Sequence, residues 1–128
     1  MTNHAKLMTN PPFDFVLDYL PSNILLKKMF GMHYIYLGKR ILLILRKRGN
    51  EPELNGIWLA TVRKHHESLK NDIPGFGGFT VKGYEHEGNW LFLRDDDPNF
   101  EEVAIKACEL ISKGDPRVGR ETKKAPIV

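Results

Sequence analysis

The chain has 128 residues, 41% of them hydrophobic and 27% charged, the proportions of one globular domain. Its longest wholly apolar run is residues 41–45, far short of the roughly 20 that a membrane-spanning helix needs, and the lone Cys108 excludes an internal disulfide and a cysteine-based zinc site. The net charge of +3 is uneven: residues 1–70 hold 11 Lys/Arg against 5 Asp/Glu and residues 71–128 hold 8 against 11, which suits either differently solvated surfaces or a molecule that pairs with itself.

Residues 1–12 are polar, lack periodicity and end in Pro11-Pro12, which predicts a flexible arm ahead of a single domain over 13–114. Phe13, Val16, Leu17 and Leu20 recur at i, i+3, i+4 and i+7, one apolar face of a short helix that Pro21 stops. Residues 27–45 hold the densest apolar pattern and predict a hairpin. In its first strand, 27–37, Phe30, Met32, Tyr34 and Tyr36 alternate with Met29, His33, Ile35 and Leu37, so two faces differ. Its second strand, 41–45, is apolar on both faces, as a strand buried on both sides would be. Gly38, first in the two-residue loop Gly38-Lys39, predicts a type II′ turn.

A polar loop with Gly, Asn and Pro follows over 46–56, then a third apolar strand over 57–62. Leu69 and Ile73 predict a short helix over 63–71 ended by Pro74, and strands follow at 79–84 and 90–93. The last helix is the best signalled: Asp97 suits its N-cap, Pro98 its first position, and Gly114 with Pro116 its stop. Phe100, Val103, Ala104, Ala107, Cys108 and Ile111 form its apolar stripe, which makes Cys108 core packing instead of a nucleophile. Residues 115–128 are basic and predict a disordered tail. The order α-β-β-β-α-β-β-α predicts an α+β fold, an antiparallel sheet with helices packed on one face.

Three polar constellations are candidates for function. His65-His66-Glu67 with His33 is a candidate ligand site if folding converges the imidazoles; adjacent residues on a helix diverge by about 100°, and the i, i+4 spacing of a helical zinc site is missing. For His33 the favoured reading is a buried, hydrogen-bonded core histidine. Lys27, Lys28, Arg46, Lys47 and Arg48 flank the two ends of the hairpin and are candidate phosphate contacts for a nucleic acid, with Tyr34 or Tyr36 available for stacking. Asp95-Asp96-Asp97 lacks the calcium-loop spacing, and Gly75-Phe76-Gly77-Gly78 has its helix before and its strand after, the reverse of a phosphate-cradling loop. No residues carry the spacing of a catalytic set, a metal site or a cofactor site.

The opening helix (FDFVLDYLP), Lys28-Met29-Phe30-Gly31, the aromatic hairpin turning at Gly38-Lys39 and the last helix (FEEVAIKACELI) resemble the N-terminal domain of the TfoX/Sxy family, bacterial competence regulators and small proteins. The resemblance spans residues 13–112 and does not extend to the helical C-terminal domain of the two-domain regulators. Met32 stands where the family shows a second glycine. The resemblance implies the fold and a bacterial, cytoplasmic setting, and brings no catalytic residues.

The sequence thus favours a non-catalytic interaction or regulatory module over an enzyme, with a protein partner or a second copy of itself. Nucleic acid is the alternative partner, a small ligand near His65 and His66 the second alternative, and no cofactor, metal or membrane is expected.

Overall fold

In the computed structural model, which describes residues 11–78 and 88–122, the apolar run at 41–45 forms the middle of strand β3 (Arg40–Arg46). All five residues are buried, because the strand lies inside the sheet with side chains covered on both faces. Strands β1 (Leu25–Met29) and β2 (Met32–Leu37) precede it; β4 (Gly56–Leu59), β5 (Gly77–Gly78), β6 (Leu91–Arg94) and β7 (Arg120–Glu121) follow. The sheet runs β1-β2-β3-β4-β6-β5, with every paired neighbour antiparallel. β7 takes the part of β3 that β4 leaves uncovered: β4 pairs residues 43–46, and β7 pairs Arg40 with Glu121 and Ile41 with Arg120.

The α+β class and the one-sided placement of helices agree with the sequence reading. The 3-10 helix Asp14–Tyr19, helix α1 (His66–Asp72) and helix α2 (Phe100–Ser112) all contribute to one core. Val16, Leu69, Ile73, Val103, Ala107 and Cys108 meet Ile35, Leu43, Leu45, Ile57, Leu59 and Leu93 of the sheet there. The opposite face carries a smaller cluster of Tyr36, Ile41 and Ala60, with Leu25, Tyr34 and Trp90 packed against it. Among the described residues no helix is long and apolar enough to cross a membrane.

Several elements depart from the expectation. The strand predicted over 27–37 is two strands, reversed at Phe30-Gly31, where Met29 pairs with Met32. Both parities of this stretch are apolar, so the reversal leaves the alternation looking continuous. The opening helix is 3-10, with only Val16 of its residues buried. Helix α2 starts at Phe100 with Asn99 as N-cap; Asp97 instead holds the preceding turn, its Oδ1 accepting from the Asn99 N–H at 2.8 Å. The expected C-terminal stop is present. Gly114 is left-handed at φ 76°, and its N–H and that of Asp115 donate to the carbonyls of Ile111 and Leu110, a Schellman cap.

Residues 115–122, expected in a disordered tail, are tied into the fold. Val118 is 2% exposed, the Gly119 N–H donates to the Ala60 carbonyl, and the Arg40 guanidinium donates to the carbonyls of Pro116 and Val118. Polar flanks around a single apolar anchor gave no periodic signal. The expected strand at 79–84, residues 1–10 of the expected arm and residues 123–128 of the tail lie outside the described residues.

Candidate functional site

Among the described residues three non-glycine residues have left-handed backbone, Phe13, Phe30 and Glu51, and the one in the β1–β2 turn carries an exposed apolar side chain. Phe30 and Gly31 have φ of 53° and 74°, the paired left-handed geometry of a type I′ turn. Asn-Gly or Gly-Gly ordinarily occupies such a turn, because a side chain on an L-residue is strained there. Here the strained position carries a phenylalanine, and 78% of it is exposed. Half-buried Met29 and Met32 flank it. Arg48 closes over the turn, its Nη1 donating to the Phe30 carbonyl at 3.3 Å, and its guanidinium lies within 3.1 Å of where a Cβ on Gly31 would stand. The sheet thus presents an apolar finger with basic side chains at its base.

The five basic residues singled out in the sequence do not form one patch. Lys27 and Lys28 lie on β1, opposite Tyr34 and His33 of β2, so a whole strand separates them from the end of β3. Arg46 is 3% exposed and donates to the carbonyls of Asn50 and Glu51 and to Asn55 Oδ1. Its charge organises the loop after β3. Lys47 is paired with Asp95 at 2.6 Å. Exposed Lys28 and Arg48, with half-buried Lys27, are what remains around the tip.

The three candidate histidines also diverge. His33 is buried on β2, and neither ring nitrogen has a hydrogen-bond partner, which corrects the expectation of a satisfied core histidine. Burial, with the charge of Lys28 opposite, pushes its pKa down, so the ring is neutral near pH 7. His66, the buried first residue of helix α1, donates from Nε2 to the Asn89 carbonyl at 2.9 Å, just ahead of β6. Three strand spacings, about 14 Å, separate β2 from β6 in the sheet order. His65 lies at the start of helix α1, within electrostatic reach of Asp115 and far from β2. No metal-holding group of His, Cys, Asp or Glu gathers among the described residues.

Three features escaped the sequence reading. Arg117 ties α1 to the C-terminal segment: it bonds Asp115 at 2.7 Å and Asp72 at 2.8 Å and donates to Ser68, and it holds the Asp115 carboxyl below the usual carboxylate range. On the helix-free face of the sheet, Trp58 meets Trp90 and Phe92 edge-on at 6.3 and 6.4 Å, and the Arg120 guanidinium stacks 4.8 Å above Trp90. Finally, the outer side of α2 bears a shallow depression that includes Pro98, Ile105, Glu101, Glu102 and Glu109. Only tertiary structure exposes these three features; Phe30, by contrast, stands before a glycine between two strand-forming segments, which is a turn signal. Cys108 is packed in the core, and burial pushes its thiol up to about 12, far from nucleophile chemistry.

Comparison with protein-family models, with curated proteins and with solved structures found no match.

Proposed function

We propose that the chain is a non-catalytic protein-interaction module that engages its partner through the β1–β2 tip. One observation carries this reading: a phenylalanine that is 78% exposed occupies a left-handed turn position at φ 53°. Strain and exposed apolar surface both cost stability and return no packing to the fold, and local strain of this kind clusters where binding needs it. An aromatic side chain presented on a rigid hairpin is a good anchor for a partner's pocket, because it loses little conformational freedom on burial. The separated histidines support a non-catalytic reading. The likeness of Lys28-Met29-Phe30-Gly31 to the TfoX/Sxy N-terminal domain supports a regulatory role in a bacterial cytoplasm. Nucleic acid is the weaker reading, because Arg46 is buried on its own loop and the exposed Lys47 is paired with Asp95.

The test is photo-crosslinking from the tip. A benzophenone amino acid replacing Phe30 is irradiated in native lysate beside a control carrying it at exposed Lys64. Discrete protein adducts from position 30 alone are expected. Equal, diffuse labelling from both positions would dispose of the tip as a docking element.

A further inference from the structure

The sequence charges are opposite in its two halves, and the fold displays them on two separate features. The tip draws on the basic half, with Lys28 and Arg48 exposed around Phe30. The depression on α2 draws on the acidic half. Its side of the helix points away from the core stripe of Val103, Ala104, Ala107, Cys108 and Ile111. Pro98 and Ile105 give it apolar lining, while Glu101 and Glu109 make it negative; Glu102 is paired with Lys106 at 3.8 Å. One feature is an apolar knob among positive charges, the other an apolar hollow among negative ones.

We propose that the partner is a second copy of this chain: the β1–β2 tip of one molecule docks into the α2 depression of another. Phe30 seats against Pro98 and Ile105, and Lys28 and Arg48 face Glu101 and Glu109. This rests on the reading of the tip as the binding element and names its receptor. The argument for a second copy is complementarity in both charge and apolarity between two surfaces of the same molecule, a match that also steers encounter. The contact is a single side chain and its surround, well below the area of a stable interface, so association is weak and reversible. Because tip and depression are different surfaces, the contact is head-to-tail, and it closes or propagates according to geometry.

Sedimentation of the full chain tests this at concentrations up to about 1 mM, where contacts this small become populated. The average mass is expected to rise with concentration at low salt and to fall back when salt screens the pairing. Phe30→Asn and Ile105→Glu, both exposed or half-exposed changes that leave the core alone, are each expected to abolish the rise with an unchanged circular dichroism spectrum. Mixed together they are expected to associate again, because one supplies an intact depression and the other an intact tip. A wild-type chain that stays monomeric throughout overturns the inference. So does association that survives either substitution, or a mixture that gains nothing over its components. Position-30 crosslinks to other proteins combined with a monomeric wild type would remove the second copy as partner and leave the tip standing as the binding element; absence of any crosslink would remove the tip itself.

Discussion

Phe30 and Gly31 lie side by side in left-handed backbone, at φ 53° and 74°, and only the second is a glycine. The left-handed region costs an L-residue roughly 1 kcal/mol, less for asparagine, whose short polar side chain bonds locally. Phe30→Asn is therefore expected to raise stability by about 0.5–1 kcal/mol while removing the exposed ring. Urea titration would show a higher midpoint with unchanged slope. A lower midpoint would mean that the ring packs usefully in the free protein, against its 78% exposure.

Asn55 is the hub of the loop after β3. It is 4% exposed; its Oδ1 accepts from Arg46 at 2.7 Å and from the Arg48 N–H at 2.9 Å, and its Nδ2 donates to the Arg48 carbonyl at 2.9 Å. Asn55→Ala strands the Arg46 charge in a buried place with one acceptor fewer. A cost of roughly 2–4 kcal/mol follows, since unsatisfied buried groups carry their full desolvation penalty. A loss below about 0.5 kcal/mol, a surface-like value, would mean that this loop does not depend on the network.

His33 sets a pH dependence. Its pKa in the fold lies below the ordinary value of 6.5, because burial and Lys28 disfavour the charged ring. On acidification the unfolded chain takes up a proton before the native one does, so stability falls as pH drops from about 6.5 toward the lowered folded value. His33→Phe removes both the titration and two unpartnered buried nitrogens. Denaturation midpoints measured at several pH values should show a shallower acid slope in the variant. Parallel slopes would assign the acid sensitivity to other groups.

The C-terminal segment offers a test of where the fold ends. Val118 is 2% exposed and belongs to the main core. Val118→Ala deletes two methyl groups' worth of burial and leaves a small void, about 2 kcal/mol. In a disordered tail the same change would be neutral, and thermal unfolding separates the two cases by several degrees.

How much of this was legible beforehand depended on whether the signal was local. Helix α2 shows its stripe and its Gly114 stop because both depend on neighbours a few residues apart. The Gly38 turn was legible too: φ is 60° there, as the first position of a II′ turn requires. The reversal at Phe30 was hidden because apolar residues on both parities masked the change of face. The five basic residues expected together and the candidate histidines stay apart for one reason. Lys27 and Arg46 belong to strands that are not neighbours, and His33 lies on β2 while His66 opens helix α1 and bonds the segment just before β6.

By itself the sequence determined the α+β class, the central β3 strand and the last helix, since burial pattern and caps are properties of contiguous residues. Only the tertiary structure decided which charges are spent and which are displayed. Arg46 turns inward to the loop that follows it, while Lys47 finds Asp95 and Arg117 finds Asp72 through contacts between residues distant in the chain. Gly31 signals a turn at Phe30 locally, but that Lys28 and Arg48 remain exposed beside that ring is a property of packing.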